Sequence, residues 1–105
     1  MYARVTHFTG LAPERIKATL EQFREQHLPR LEQASGYRGM WAGVDEVGGR
    51  ALAVTYWDSV ESMQATDELA SEVKAAAVMK AGLDRERPTI TDRYEIVLQR
   101  EHAQV

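Results

Sequence analysis

The chain has 105 residues, of which 44% are hydrophobic and 28% are charged, and its formal net charge is −3. This length predicts one domain with a core of limited size. Its 13 Lys and Arg residues against 16 Asp and Glu residues offer no attraction for a phosphate backbone, so we expect no nucleic-acid partner. The absence of Cys excludes disulfides, thiolate nucleophiles and Cys-ligated zinc.

The amino-terminal segment 1–8 lacks the charged start and the long apolar stretch of a signal peptide. No window of the sequence approaches the length of a transmembrane span. We therefore expect a cytoplasmic protein with no membrane partner.

The first half of the chain predicts a strand followed by a kinked helix. "YARVTHF" (2–8) is rich in β-branched and aromatic residues, which is typical of a strand. Pro13 and Glu14 suit the first turn of a helix. Apolar residues then recur at near-helical spacing up to Leu31. Pro29 cannot continue the hydrogen-bond ladder, so the helix is expected to kink or restart there.

The second half predicts a hairpin, another helix and a last strand. "YRGMWAGV" (37–44) and "ALAVTYW" (51–57) indicate strands that the Gly48-Gly49 pair joins in a turn. Asp58 and Glu61 have the spacing of a capping box, which starts the second helix, with a break expected near Thr66-Asp67. "TITDRYEIVL" (89–98) predicts the final strand.

The predicted order is therefore β-α-β-β-α-β. Two right-handed crossovers and one hairpin give a ferredoxin-like α+β sandwich, a four-stranded antiparallel sheet with both helices on one face. Residues 1–98 form this single domain, and 99–105 form a C-terminal tail that we expect to be frayed.

Both sides of the predicted sheet are substantially apolar, although helices cover only one. Strand alternation places Leu52, Val54 and Tyr56 opposite Ala51, Ala53, Thr55 and Trp57, and Met40, Ala42 and Val44 opposite Tyr37 and Trp41. An exposed apolar face of about 500 Å² would forgo about 12 kcal/mol at about 25 cal/mol per Å². We therefore expect a homodimer that packs sheet against sheet.

Histidines are the first candidates for chemistry. His7 lies on the first strand and could act as a base near neutral pH, or could be a strand histidine bonded to a neighbour. His27 is expected to bond the free carbonyls at the kink. No pair of histidines has metal-ligand spacing, so we expect no metal.

Large aromatic side chains are the second candidates. Trp41, Tyr56 and Trp57 lie on adjacent strands and could line a cavity for an aromatic ligand, or could pack in the core or the dimer interface. Arg93 is a strand arginine that could steady an anionic or phenolate ligand, or could simply face solvent.

The chain resembles the dimeric α+β barrel superfamily and, within it, the antibiotic biosynthesis monooxygenase-like family. The resemblance spans 2–98 and rests on "YARVTHF", "LPRLEQASGYRGMW" and above all "ALAVTYWDSVESM". In the last segment a strand-end Trp is followed by an acidic residue, a Ser and a capped helix. These motifs indicate a fold and do not fix a reaction.

This resemblance implies an oxygenase without cofactors that acts on a small aromatic or phenolic substrate. His7 would remove a proton, the anion would donate an electron to O₂, and Trp41, Tyr56, Trp57 and Arg93 would contact the substrate in a pocket between the sheet and the second helix. Alternatives are a non-catalytic dimeric module that binds a small ligand or is purely structural, and an isomerase or cyclase.

The haem-degrading branch of the family uses an Asn, a Trp and a His. The present chain has no Asn, and alignment on Trp57 places the other two near Thr66 and near Ala76. Haem degradation is therefore not expected.

Overall fold

Four antiparallel strands form one sheet in the computed structural model, which describes residues 1–81 and 89–100. The strands are β1 (Tyr2–Phe8), β2 (Tyr37–Asp45), β3 (Arg50–Trp57) and β4 (Ile90–Glu95). They lie in the order β2-β3-β1-β4, and every neighbouring pair is antiparallel. The predicted ferredoxin-like α+β fold is confirmed.

The helices cover one face of this sheet. They are α1 (Pro13–Gln22), α2 (Leu28–Glu32), α3 (Val60–Ala65) and α4 (Asp67–Ala81), and a π-helical turn (Phe23–His27) joins α1 to α2. No helix in the described ranges is long and apolar enough to cross a lipid bilayer.

The predicted kink at Pro29 is confirmed, and it takes the form of the π-helical turn. The Leu28 N–H donates to the carbonyl of Phe23, five residues earlier in the chain. Pro29 then lies in the first turn of α2, a position that tolerates its fixed φ and its missing N–H.

The predicted cap of the second helix is wrong by one residue. Ser59 is the N-cap of α3, and its Oγ accepts a hydrogen bond from the Ser62 N–H at 3.1 Å. Asp58 instead donates its N–H to the Gly36 carbonyl at 2.9 Å, which holds it outside the helix. The predicted break is confirmed, since Thr66 separates α3 from α4.

Tyr37 was predicted on the same face of the sheet as Trp41, but it lies on the opposite face, opposite Trp57. An irregularity in the pairing of β2 with β3 between Tyr37 and Gly39 shifts the alternation. Tyr37 therefore packs edge-on against Trp57 on the helix side, with 5.7 Å between ring centroids and an interplanar angle of 74°.

The core lies between the sheet and the helices in two clusters. Leu31, Trp57 and Met63 are buried at the end where β3 meets α3, and Leu11 and Ile16 are buried at the hairpin end. The opposite face of the sheet, called here the bare face, is covered by no described element. It carries Ala3, Val5, His7, Trp41, Leu52, Val54, Tyr56, Ile90, Asp92 and Tyr94.

Gly36 occupies a position that a side chain would disrupt. Its φ is +83°, and an added Cβ would overlap Asp58 Oδ1 and Ser62 Oγ. The Gly36→Ala variant is expected to lose about 2 kcal/mol or more of unfolding free energy, measured by chemical denaturation at fixed protein concentration.

Gly43→Ala is the matched control. The backbone of Gly43 is not left-handed, and an added Cβ would lie 3.5 Å from a ring carbon of Trp41, an ordinary contact. This variant should stay within about 1 kcal/mol of the parent. Equal losses in the two variants would contradict the assignment.

Candidate functional site

A partly enclosed cavity of about 120 Å³ lies between the helix-covered face of the sheet and α1, the π-helical turn and α4. Most of its lining is apolar. An apolar cavity of about 150 Å³ holds one benzene molecule. The space is therefore of the size class of one aromatic ring.

Short side chains leave this space open. The lining includes Ala42, Ala51 and Ala53 from the sheet, together with Ala70 and Ala77 from α4. Longer side chains close the ends: Phe8, Leu11 and Ile16 at one, and Phe23 and Leu31 at the other. The cavity exists because methyl groups face each other across the layer where larger residues would fill it.

One wall of the cavity carries a buried arginine. Arg4 is only 3% exposed. Its Nη1 donates to Thr66 Oγ1 at 3.2 Å, and its Nη2 donates to the Met63 carbonyl at 2.5 Å and to Asp67 Oδ1 at 2.6 Å. The guanidinium lies 5.8 Å from the ring centroid of Trp57, a cation–π distance.

Burial and neighbouring charges together shift the pKa values of Arg4 and Asp67. Burial lowers the pKa of Arg4, against the opposing effect of Asp67. Burial also raises the pKa of Asp67, but hydrogen bonds from Arg93 and Arg4 outweigh it and leave that pKa below its usual value. Arg93 Nη2 donates to the same Asp67 oxygen at 3.2 Å, so two guanidinium groups share one carboxylate.

A lysine completes the polar part of the lining. Lys74 of α4 donates from Nζ to Thr91 Oγ1 of β4 at 3.3 Å and forms no ion pair with a described residue. The remaining polar residues of the lining are Thr6, Thr19 and Thr55. No His, Asp or Glu of the described ranges lines the cavity.

The site residues predicted from the sequence do not come together. None of the five lines the cavity. His7, Trp41 and Tyr56 lie on the bare face, where His7 Nε2 is 3.6 Å from Asp92 Oδ2 and Trp41 Nε1 donates to Tyr56 Oη at 2.7 Å.

Trp57 and Arg93 lie on the helix side of the sheet. Trp57 is fully buried and donates from Nε1 to Thr55 Oγ1 at 3.0 Å, and Arg93 reaches Asp67. Strand alternation therefore separates Trp57 and Arg93 from the three predicted site residues on the bare face. One ligand cannot contact both sets within a protomer. The functional roles of the five residues stay predictions.

Sequence reasoning missed Arg4 and Lys74. Arg4 alternates in β1 with Thr6 and Phe8, and this period-two pattern was the signal that it shares their covered face. Lys74 follows Val73 and lies one turn after Ala70, next to the apolar stripe of its helix.

His27 does not form the hydrogen bonds that were predicted for it at the kink. It is buried in the π-helical turn, and neither of its ring nitrogens has a hydrogen-bond partner in the described structure, so the predicted bonds to carbonyls are wrong. Its ring lies 6.3 Å from that of Phe23. Within residues 1–81 and 89–100, no group of three or more His, Asp and Glu side chains could hold a metal ion.

The Arg4–Asp67 pair should contribute measurably to stability. Asp67→Asn leaves the buried guanidinium of Arg4 without a carboxylate partner, so we expect a loss of about 2 kcal/mol, below the full value for a buried pair because Asp67 is half exposed. Because the pKa of Asp67 is lowered in the folded state, its ionised carboxylate stabilises the fold at pH values above the ordinary Asp pKa. This contribution is lost as pH falls through the lowered pKa. Denaturation at neutral and acid pH measures both.

Asp45→Asn is the matched control, because Asp45 also pairs with an arginine, Arg50, at 2.7 Å, but Arg50 is mostly exposed. Its loss at neutral pH should be clearly smaller. A larger loss in Asp45→Asn than in Asp67→Asn would contradict the importance of the buried pair.

The chain is similar in sequence to two curated proteins. No protein-family model matches the chain. The uncharacterized proteins MT2635 and Rv2558 of Mycobacterium tuberculosis, from strains CDC 1551 and H37Rv, are each 30% identical over 86 residues. This similarity covers 81% of the chain but only 36% of each relative, so the chain spans about a third of their length.

Solved structures resemble the chain over nearly its whole length. A monooxygenase from the gene ActVA-Orf6 of Streptomyces coelicolor, in complex with Nanaomycin D, has a TM-score of 0.77 at 13% identity, covering 97% of this chain and 92% of that one. A dimeric ferredoxin-like protein from an uncultured marine organism has a TM-score of 0.70 at 15% identity, covering 97% and 92%.

An antibiotic biosynthesis monooxygenase has a TM-score of 0.67 at 14% identity and covers 93% of this chain and 100% of its own. The resemblance predicted from the sequence is therefore confirmed at the level of the fold: this chain has the fold of the antibiotic biosynthesis monooxygenase-like proteins.

Proposed function

We propose that the chain binds a small aromatic compound in the cavity and oxidises it with O₂, without a metal or flavin. The observation that carries the proposal is the cavity itself, which has an apolar lining of one-ring size with cationic side chains, Arg4 and Lys74, in its wall. Solved proteins of this fold include ones named as monooxygenases, which supports the reaction class.

For a phenol, the reaction would convert one substrate molecule and one O₂ into a quinone and one water. The phenolate gives one electron to O₂, and the resulting radical pair combines to form a carbon–oxygen bond at the ring. The terminal oxygen then takes up the proton that the phenol released, which gives a hydroperoxide. Loss of water from this hydroperoxide breaks the oxygen–oxygen bond and leaves the second carbonyl. One oxygen atom enters the product and the other leaves as water.

The contribution of the protein to this reaction would be electrostatic. The apolar lining removes water from the ring, and the positive charges of Arg4 and Lys74 favour the electron-rich phenolate over the neutral phenol. His7, predicted as the base, lies on the opposite face of the sheet and does not line the cavity.

Binding without turnover is the second candidate. One observation favours it: the polar residues of the described lining are Arg, Lys and Thr, and none offers a carboxylate or an imidazole to accept a proton. Such a module would use the same cavity and the same cations. Oxygen consumption separates the two candidates.

Filling the cavity tests its role. Ala53→Leu adds three carbon atoms to a lining position on the sheet, and we expect at least a tenfold loss of affinity for one-ring phenols, measured by calorimetry. O₂ uptake at an oxygen electrode, which reports the proposed monooxygenase reaction, should fall in parallel with binding.

Ala75→Leu makes the same change at an exposed position of α4 that does not line the cavity. This control should bind and react as the parent does. Unchanged binding in Ala53→Leu would contradict the site, and binding by the parent without O₂ uptake across the phenol panel would favour the non-catalytic candidate.

We also propose that a second copy of the chain covers the bare face. Large apolar side chains remain exposed there, with Trp41 at 47% and Ile90 and Tyr94 at 54% each. The similarity to a dimeric ferredoxin-like protein supports a homodimer. An isologous contact of sheet against sheet would remove these side chains from water in both copies.

Val5→Lys tests this dimer while sparing the protomer. Val5 lies on the bare face directly opposite Asp92 in the pairing of β1 with β4, so a lysine there gains a carboxylate neighbour in the isolated protomer. In a dimer the same charge would be buried. We expect sedimentation to show a dimer for the parent and a folded monomer for Val5→Lys.

Val47→Lys makes the same substitution at a fully exposed position of the hairpin turn and should stay dimeric. A parent that sediments as a monomer at micromolar concentration, or a Val5→Lys variant that stays dimeric, would overturn the proposal.

A further inference from the structure

We propose that the contact between two copies through the bare face takes up a proton at each His7–Asp92 pair, so that the dimer is tighter in mildly acidic than in mildly alkaline solution. This inference rests on the dimer proposed above and adds its regulation by pH. The dimer stands or falls separately, since two bare faces can associate with no dependence on pH.

His7 and Asp92 form an acid–base pair on a mostly apolar surface. The Nε2 atom of His7 lies 3.6 Å from Oδ2 of Asp92, an ion-pair distance that is too long for a hydrogen bond. Val5 lies directly opposite Asp92, and Leu52 and Ile90 lie directly opposite His7. The two side chains are 45% and 44% exposed in the isolated protomer, so water solvates the carboxylate there.

A second copy on this face would remove that water. A carboxylate in a dry interface is costly unless a positive charge accompanies it. With His7 neutral, the pair carries one negative charge into the contact. With one proton added, the pair carries no net charge, whether that proton rests on the imidazole or on the carboxylate. Association therefore costs less when the pair holds the proton, and binding of the second copy draws protons from solution.

The other described charges on this face already balance each other. Arg50 and Asp45 lie directly opposite each other at the hairpin end of the bare face and are bonded at 2.7 Å. Tyr56 and Tyr94 are the remaining titratable side chains described on it, and phenol groups stay uncharged near neutral pH. Imidazole alone among these described groups changes charge between about pH 5 and about pH 8. An isologous contact brings the same set from the second copy, so His7 is the group on either side that a pH change near neutrality alters.

Protonation differs from the Val5→Lys substitution, although both place positive charge beside Asp92. The substitution puts a long side chain where a valine packs, and overpacking of a close-fitting contact is destabilising. A proton supplies charge without that volume. The same surface is therefore expected to hold a dimer with His7 protonated and to lose it in Val5→Lys.

The test measures the dimer dissociation constant of the parent by sedimentation over a dilution series at about pH 6 and about pH 8, at one ionic strength. An association that takes up protons strengthens as pH falls through the range in which the free imidazole titrates. We expect a dissociation constant at least about tenfold lower at about pH 6, since uptake of nearly one proton per copy changes it by up to about a hundredfold per pH unit. Far-UV circular dichroism at both pH values checks that the protomer stays folded.

Asp92→Asn should reverse the direction of this effect. The side chain keeps its size, but the pair then has no net charge when His7 is neutral, and protonation places an unpaired cation in the contact. We expect this variant to dimerise more tightly than the parent at about pH 8, and more weakly at about pH 6 than at about pH 8. A merely structural role of Asp92 would change the dissociation constant equally at both pH values.

His7→Gln removes the titrating group and keeps a polar side chain of similar length. Its dissociation constant should be nearly equal at both pH values and should resemble that of the parent at about pH 8. Glu61→Gln is the matched control for loss of a carboxylate, because Glu61 lies exposed on α3, on the covered side of the sheet. This control should keep the full pH dependence of the parent.

Three results would overturn the inference while leaving the dimer in place: a parent dimer with equal dissociation constants at both pH values, an Asp92→Asn variant that keeps the direction seen in the parent, or a His7→Gln variant that keeps its pH dependence. A parent that is monomeric at both pH values in the micromolar range would overturn the dimer as well. Tighter association in acid, with reversal in Asp92→Asn and loss in His7→Gln, would establish proton uptake at this pair.

Discussion

The buried guanidinium of Arg4 joins the sheet to the helices above it. It lies on the central strand β1, and its hydrogen bonds end at the Met63 carbonyl, Thr66 and Asp67, where α3 gives way to α4. A lysine would not replace it, because one ammonium group cannot reproduce this planar set of donors. The helix break and part of the cavity wall thus depend on the same side chain, so the stability of the fold and the proposed ligand binding would meet at one residue.

The cavity lies between two separately packed clusters. Tyr2 belongs to the cluster around Trp57 and Met63, and Phe8 belongs to the cluster around Leu11 and Ile16. Between these two ends of β1, the covered face carries Arg4 and Thr6, and the facing positions of β3 and α4 are small. Large side chains hold the layers together at both ends, and the middle keeps its space without collapse.

The sequence allowed the elements to be predicted far better than the site. Strand patterns, the Gly48-Gly49 turn and Pro29 act locally, and the structure confirms the four strands, the turn and the helix break, although the last strand, predicted over 89–98, spans only Ile90–Glu95. The errors arose where tertiary contacts compete with local preferences: the Gly36–Asp58 hydrogen bond moved the cap to Ser59, and a bulge turned Tyr37 over. Trp41, Tyr56 and Trp57 were predicted to line one cavity because they are large and lie on adjacent strands. Strand alternation instead places Trp41 and Tyr56 on one face and Trp57 on the other. A lone arginine in an apolar strand gave no sign of its partners, because Asp67 lies 63 residues away.

The open cavity on one face of the sheet lowers the stability of the fold, and burial of the other face in a dimer would raise it. At about 24 cal/mol per Å³, an empty cavity of 120 Å³ costs about 3 kcal/mol, a large part of the stability of a small domain. The covered face cannot recover this energy without filling the space that a ligand needs. The bare face is free of that restriction, because strand alternation directs Val5 and Tyr56 away from the lining: they can pack against a second copy while Thr6 and Ala53 keep the cavity open. Dimerisation through the bare face would therefore supply the stability that an open binding cavity removes, which gives the apolar second face of the sheet a physical reason.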